Sequence, residues 1–197
     1  MAKKIAFAFL VLAFCLSMGS VASAQDKPYI LTAGAGFAKL LEDGAPGGSF
    51  GFLAGMHYKV PSTPGLAIGA EAGYLMLGGE DETMVFDGIP VEASVDWSII
   101  PVTGQVTYFM GDEAAQAMPF VTAGGGLYQL RVEVEASAMG LSASDTETSS
   151  EGGINFGGGV KMNTDSRMSF GADARFHLIL TEGESTNALT VMGRVFF

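Results

Sequence analysis

The segment Leu189-Thr190-Val191-Met192-Gly193-Arg194-Val195-Phe196-Phe197 alternates in side-chain character and ends on an aromatic residue. Its odd-numbered positions are apolar or glycine, whereas the even-numbered positions include Thr190 and Arg194. A period of two residues is typical of a β-strand with two different faces. Because aromatic residues flank the apolar band of a transmembrane barrel, an alternating strand that runs to a Phe predicts a closing barrel strand.

The opposite end of the chain has the pattern of an export signal. Lys3 and Lys4 precede an apolar run at 5–16, and the small residues Ala22-Ser23-Ala24 precede Gln25. The run is about a dozen residues long, too short for a spanning helix, which needs roughly 20. We therefore predict a signal peptide at 1–24 and a mature outer-membrane domain at 25–197.

Composition after Gln25 favours short strands over membrane helices. The single cysteine, Cys15, falls within the predicted signal peptide, so the mature chain has no thiol for a disulfide or a metal. Short segments rich in Gly, Val, Phe and Ala alternate with Gly, Pro, Asp and Ser clusters. In hydrocarbon, strands are stable only in a closed sheet. The predicted fold class is all-β: an eight-stranded antiparallel up-and-down transmembrane β-barrel.

The strands of this barrel can be placed in order along the chain. The predicted segments are 30–41, 48–60, 66–77, 93–109, 119–134, 153–162, 168–180 and 187–197. Each is long enough to cross an apolar band of about 25 Å. Tight turns are predicted at 61–65 and 163–167, and long outer loops at 78–92 and 135–152. Pro101 cannot donate to a ladder, so it predicts a bulge or a strand start.

Each strand separates an apolar parity from a polar or small one. At 168–180, for example, Phe170 and Phe176 alternate with Asp173, Arg175 and His177. We expect the first set to face lipid and the second to face the lumen. A soluble lipocalin-like barrel would reverse this arrangement; the C-terminal Phe and the aromatic residues near strand ends favour the membrane alternative.

The inward parity carries the most suggestive chemistry. Gln105 and Gln129 are assigned to it, together with a predicted charge network of Glu71, Asp173, Arg175, Lys161, Arg194 and Arg131. In a narrow interior such charges must be paired, and a structural role is one interpretation. The alternative is a gate, in which Arg194 and Asp173 exchange partners and open a thin water path.

The predicted outer loops are strongly acidic. Acids occur there at Glu42, Asp43, Glu80, Asp81, Glu82, Asp87, Glu92, Glu135, Asp145, Glu147, Glu151, Glu182 and Glu184, without Lys or Arg. Such loops repel nucleic acid, so no nucleic-acid partner is expected. Carboxylates could hold divalent cations that bridge to lipopolysaccharide, with Glu80, Asp81 and Glu82 as candidate contacts. A merely solvated, repulsive surface is the alternative. The polar loop around Ser142 to Ser150 is expected to be mobile and open to a partner.

Catalysis has little support in the sequence. Outer-membrane lipid-modifying enzymes need a base beside a nucleophile, and His57 and His177 have no such neighbour in sequence. We expect both histidines to be packed in the lumen. The glycine-rich stretches 34–36 and 157–159 lie in strand patterns without a following helix, so they do not predict phosphate sites. No catalytic, cofactor or metal residues are predicted.

Three segments carry a resemblance to a known family. They are Ile100-Pro101-Val102-Thr103-Gly104-Gln105-Val106-Thr107-Tyr108-Phe109, Pro119-Phe120-Val121-Thr122-Ala123-Gly124-Gly125-Gly126-Leu127-Tyr128, and Asn155-Phe156-Gly157-Gly158-Gly159-Val160. With the terminal Phe, they resemble the small OmpA/OmpX-like "porin family" barrels of Gram-negative outer membranes. The resemblance implies a barrel in contact with outer-membrane lipid. It also implies insertion by the barrel-assembly machinery through the strand that ends at Phe197.

The expected function follows from location more than from chemistry. We expect a monomeric outer-membrane barrel with a structural or surface-interaction role and anionic outer loops. A narrow channel for ions or small solutes is the alternative, and a lipid-modifying enzyme is a distant third.

Overall fold

A computed structural model describes residues 28–42, 45, 47–86, 89–112, 115–138, 141–164, 168–181 and 185–197. The predicted signal peptide at 1–24 lies outside the described residues. The described residues form eight strands: β1 (Tyr29–Leu40), β2 (Ser49–Lys59), β3 (Leu66–Phe86), β4 (Ile89–Phe109), β5 (Ala117–Ala138), β6 (Leu141–Met162), β7 (Ser169–Leu180) and β8 (Ser185–Phe196). Over these ranges we find no helix with the length and apolarity to cross a bilayer.

The strands form a closed antiparallel barrel in sequence order. β8 returns to β1, with Thr32 opposite Phe196 and Leu40 opposite Ala188. Beyond β8, Leu31 and Phe197 exchange two backbone hydrogen bonds of 3.2 and 2.9 Å. The ring therefore has no open edge at the level of the short strands, as an apolar solvent requires. The predicted fold class is confirmed.

The two faces of the wall differ as predicted. Phe50 and Phe170 are 49% and 48% exposed on the outside, whereas His57 and Asp173 are 4% and 3% exposed inside. Outward apolar side chains continue around the ring: Phe37, Met56, Tyr58, Ile68, Val102, Val106, Tyr108, Val121, Leu127, Ile154, Phe156 and Val191. A soluble lipocalin-like barrel would bury this set, so that alternative is excluded.

Half of the wall is nearly twice as tall as the other half. β1, β2, β7 and β8 contain 11 or 12 residues, whereas β3 to β6 contain 21 or 22. Most of the additional residues belong to the predicted long loops at 78–92 and 135–152. Where these loops are described they form strands, so that prediction is wrong. There the chain stays paired, through Phe86↔Ile89 in one hairpin and Ala138↔Leu141 in the other. Polar residues on a solvated strand face had the composition of a loop.

The break in register lies away from Pro101. Met76 pairs with Ser98 and Gly78 with Trp97, so Leu77 is an extra residue on β3. Pro101 lies within β4 and pairs with Tyr128 of β5 in an unbroken register. The predicted bulge or strand start at Pro101 is therefore wrong. The bulge at Leu77 marks the level where the tall part of the wall leaves the ring.

Candidate functional site

Two buried carboxylates and two guanidinium groups meet at the centre of the lumen. Glu71 from β3, Asp173 and Arg175 from β7 and Arg194 from β8 are each 3% exposed. We call this set the lumen ring. Asp173 and Arg175 are two residues apart, which places them on the same face of β7. Because Gly171 pairs with Arg194, the Arg194 side chain lies diagonally beside Asp173.

The lumen ring is closed by charge-assisted hydrogen bonds. Arg175 donates from Nη1 to Glu71 at 2.6 Å and from Nε to Asp173 at 2.5 Å. Arg194 donates from Nη1 to Glu71 at 2.7 Å and from Nε to Asp173 at 2.8 Å. Each guanidinium therefore contacts both carboxylates, and the two positive charges balance the two negative ones. Such pairing is what a buried charge requires.

Glycines around the lumen ring leave the space that its side chains occupy. A Cβ at Gly34 would lie 3.2 Å from Cγ of Arg194, and one at Gly55 would lie 2.9 Å from the carbonyl oxygen of Ala70 and against Glu71. His57 fills part of the remaining space, with Nε2 3.4 Å from Oε1 of Glu71. The glycine-rich inward parity thus makes room for the buried charges.

A neutral polar layer surrounds the lumen ring. Asn155 Nδ2 donates to the Tyr128 hydroxyl at 3.1 Å, and Gln105 Nε2 donates to Asn155 Oδ1 at 3.1 Å. His177 lies between the Tyr128 hydroxyl, at 3.2 Å, and the Thr190 hydroxyl, at 3.1 Å. This layer fixes the side chains that flank the charges and fills most of the interior with hydrogen-bonded groups.

Apolar clusters cover the polar interior at both ends. On the outer side, a cluster includes Ala38, Leu40, Leu53, Leu75, Leu77, Ile99, Tyr128, Ile179, Ala188 and Met192. At the opposite end, Ile30 packs with Phe109, Phe120 and Phe196, whose ring centroids lie 5.5 to 6.4 Å apart. A water path would have to cross both clusters. The described lumen is therefore largely packed, as an eight-stranded barrel allows, apart from a cavity of about 10 Å³ between the lumen ring and the aromatic cluster of Phe109, Phe120 and Phe196.

The other two charges predicted for the network lie elsewhere. Lys161 lies at the end of the lumen that the aromatic cluster covers, with Nζ 5.9 Å from the ring centroids of Phe109 and Phe196. Arg131 faces outward, contrary to the prediction, with a 44% exposed side chain 3.6 Å from Glu133. The Tyr128 side chain is buried inside the barrel, so Gln129 and Arg131, which have the opposite parity on β5, lie on the outer face. Gly124 to Gly126 have no side chains that could have marked this face in the sequence.

Apart from Glu42, which follows the end of β1, the predicted outer acids lie on strands wherever they are described. Glu80 and Glu82 share one face of β3, and Asp81 lies on the other. Among the described residues, no group of three His, Cys, Asp or Glu side chains is placed to hold a metal ion. Cation contacts by these three acids remain a prediction. Asp43, Asp87, Glu182 and Glu184 lie outside the described residues.

The histidines have no surroundings typical of a lipid-modifying centre. His57 contacts Glu71, and His177 contacts Tyr128 and Thr190. The Thr190 hydroxyl is a potential nucleophile by type, but this residue is 0% exposed, and a lipid could not reach it without opening the wall. Both histidines are packed in the lumen, as the alternation predicted.

The tall part of β3 to β6 forms a four-stranded sheet outside the ring, which we call the projecting sheet. It comprises β3 from Gly78, β4 up to Trp97, β5 from Leu130 and β6 up to Ser149. Val95 pairs with Val134. On the same face, this pair is flanked by Glu80 on β3 and Asp145 on β6. This face continues the lumen wall, because Leu130 packs on the outer apolar cluster.

Sequence reasoning missed the inner face of the projecting sheet, although its signal is present. On β4, Val91, Ala93, Val95 and Trp97 alternate with Glu92, Ser94, Asp96 and Ser98. On β5, Val132, Val134, Ala136 and Ala138 alternate with Arg131, Glu133, Glu135 and Ser137. Both runs have the strict period of two that typifies strands. Part of each run falls within a segment whose polar composition predicts a loop, and the composition conceals the period.

A family comparison agrees with this architecture. Over residues 7–193, the sequence matches the family described as the outer membrane protein beta-barrel domain. The chain belongs to this family. Membership, together with the closed ring and its apolar outer surface, supports an outer-membrane location.

Solved structures of other barrel proteins share the fold at low sequence identity. Neisserial surface protein A is 12% identical, with a TM-score of 0.50, 86% of this chain covered and 96% of that one. A major outer membrane protein from Thermus thermophilus is 10% identical, with a TM-score of 0.52, 86% of this chain covered and 99% of that one. No curated protein matches the sequence significantly. These likenesses extend to the fold and to no activity.

Proposed function

We propose that the protein is a surface-interaction barrel, in which the membrane-embedded ring is a rigid base and the projecting sheet is the part that contacts a partner. The observation that carries the proposal is the continued pairing of β3 to β6 beyond the ring. The projecting sheet contains nine residues of each strand, which correspond to roughly 30 Å of ordered wall at about 3.3 Å per residue. A purely structural barrel does not need this extension.

The exposure and charge of the projecting sheet support this role. Leu141 to Ser150 are exposed along their whole length. The strands carry acids on both faces and a single described cation, Arg131, which lies beside Glu133. An anionic element of this height is suited to a cationic partner, because charge complementarity steers encounter. Divalent cations that link the acids to lipopolysaccharide, and insertion through the strand ending at Phe197, belong to the same proposal.

The proposal assigns no catalytic step and no ion flux to the lumen. Neither histidine has an accessible nucleophile among the described residues, and apolar clusters cover both ends of the lumen ring. The channel alternative has its own test, which is single-channel recording of residues 25–197 in a planar bilayer. Discrete current steps that change with Arg194→Ala would make the lumen the functional site and overturn the proposal. A silent bilayer would support it.

The main experiment trims the projecting sheet without touching the ring. One variant replaces 79–96 and 131–148 with Asn-Gly, a dipeptide that favours tight hairpins. A matched control keeps the native length at both places but uses Gly-Ser repeats, which form no sheet. Each chain is displayed on Gram-negative cells, and insertion is checked by the heat-dependent mobility shift. Cell retention is then measured on surfaces coated with polylysine, lysozyme or serum albumin.

We expect cells with the intact chain to be retained on the two basic surfaces, and both altered chains to lose most of that retention. Equal retention of all three on every surface, at equal insertion, would refute a surface-interaction role. If the trimmed variant lost retention but the Gly-Ser control kept it, ordered strand pairing would be irrelevant to retention, which would also contradict the proposal.

A further inference from the structure

The inner face of the projecting sheet is an apolar trough between two acidic margins. Across one row, the residues are Glu80, Val95, Val134 and Asp145, on β3, β4, β5 and β6 in turn. The row below runs Gly78, Trp97, Val132 and Glu147, and the row above runs Glu82, Ala93, Ala136 and Ala143. The side chains of these valines and alanines and of Trp97 thus form the floor of the trough, and acidic residues lie along both of its sides.

This floor is only partly covered by the described residues: Val95 and Val132 are half-buried, and Leu40 and Thr186 line a cavity with Trp97. Val134 is 42% exposed and Trp97 is 38% exposed. On the opposite side of the ring, β1 ends at Leu40 and β2 begins at Ser49, at the level of the outer apolar cluster. Where its side chains are described, the outer face of the same sheet is polar, apart from Val85 near its top. Strands that alternate in this way are typical of a sheet with one covered face.

The spacing of the margins sets the size of an occupant. Neighbouring strands lie about 4.8 Å apart, so the Cα atoms of Glu80 and Asp145 are separated by roughly 14 Å across three spacings. An α-helix with its side chains is about 10–12 Å in diameter. One helix therefore fits between the margins, with its apolar face on Val95 and Val134. Lys or Arg on its flanks would then lie near the acids on both sides.

We propose that the projecting sheet binds a basic amphipathic helix of a partner protein in this trough. The inference rests on the proposed surface-interaction role and specifies its partner. Apolar contact with the floor supplies the attraction, and the acids on both margins select for Lys and Arg along the helix. This is the helix-in-groove mode of recognition, with a sheet as the groove.

Charge argues against two other occupants. A second copy of this chain carries a formal charge of −11, so its acids would repel those along the margins. Lipopolysaccharide carries anionic groups and would need cations between itself and the margins. A basic helix meets both the apolar floor and the acids directly, so it is the occupant that the trough fits best.

The experiment uses the protein in phosphatidylcholine vesicles and reads the floor itself. Trp97 is the only tryptophan in the chain. The probe is a synthetic peptide of about 14 Leu and Lys residues with one apolar face, which spans about 21 Å as a helix. It contains no aromatic residue, so Trp97 alone reports binding, through a blue shift and protection from acrylamide quenching. A scrambled peptide of the same composition is the first control.

Two variants remove equal charge from opposite faces of the sheet. The trough variant carries Glu80→Gln, Glu82→Gln, Asp145→Asn and Glu147→Gln. The matched outer variant carries Asp81→Asn, Glu92→Gln, Glu133→Gln and Glu135→Gln. All eight positions lie on solvated strands above the ring, and folding of each variant is verified by the heat-dependent mobility shift.

We expect the trough variant to weaken binding of the peptide at least tenfold and the outer variant to change it less than about twofold. Equal weakening by both variants would mean that only bulk charge attracts the peptide, and the trough proposal would fall. Equal binding of the scrambled peptide, or saturation without a change at Trp97, would also overturn it. If cell retention still depends on the projecting sheet in that case, the surface-interaction role stands and only the trough is wrong.

Discussion

Neutralising Glu71 should destabilise the barrel far more than neutralising an exposed acid of the same type. In the Glu71→Gln variant, Arg175 and Arg194 keep Asp173 as the one carboxylate of the lumen ring. The interior then holds two guanidinium charges against one negative charge. Leaving a buried charge uncompensated costs about 3–5 kcal/mol. The free energy of unfolding should fall by that amount.

Glu133→Gln is the matched control for this change. Glu133 also pairs with an arginine, but the Arg131 and Glu133 side chains are 44% and 32% exposed and 3.6 Å apart. Exposed pairs contribute about 0–1 kcal/mol, because water screens them in both states. The same chemical substitution thus tests burial alone.

Urea titration of each variant in lipid vesicles, followed by the heat-dependent mobility shift, would measure the difference. We expect the midpoint of Glu71→Gln to move well below that of the native chain, and the midpoint of Glu133→Gln to stay close to it. A double variant, Glu71→Leu with Arg175→Leu, should recover part of the loss, since it restores charge balance. Equal midpoints for the two single variants would refute the assignment of the lumen ring as a tightly coupled network.

Three further outcomes are expected. Tyr128→Phe removes a hydroxyl shared by a buried histidine and a buried asparagine, and should cost about 1–3 kcal/mol in the same titration. Gly36→Ala should reduce stability by about 1–3 kcal/mol, because the added Cβ would meet the Val191 carbonyl oxygen. Gly104→Ala is the control and should fold normally, because the nearest atom to its added Cβ is 3.8 Å away. Equal mobility shifts for the two variants would contradict the predicted loss at Gly36. Intact mass of the exported chain should correspond to a start at Gln25, and retention of residues 1–24 would refute the predicted cleavage.

Alternation predicted most of the ring, because a period of two fixes the faces of a strand wherever side chains mark both of them. It therefore identified Glu71, Asp173, Arg175 and Arg194 as inward. It could not predict their contacts, since these depend on the stagger of strands that are distant in sequence. Glu71 and Arg175 are bonded across 104 residues of chain, and only the closed register brings them together.

The errors have a common physical origin. Near Gly124 to Gly126 the sequence lacks side chains that distinguish the faces, and so Arg131 was assigned to the wrong side. Between Ser142 and Ser150, polar residues on a solvated strand had the composition of a loop. These residues form a strand because they pair with β5. The sequence signal for that pairing is the alternation within β5, and not the composition of the segment itself.

The ladder between β1 and β8 has a consequence for how the molecule is made. It joins the first and last of the eight strands, so it is the longest loop closure in the ring and the pairing expected to form last. Until then, both strands present unpaired backbone groups, which hydrocarbon penalises by several kcal/mol each. Entry into the bilayer and closure of the ring, including the Leu31–Phe197 hydrogen bonds, are therefore expected to occur as a single cooperative event.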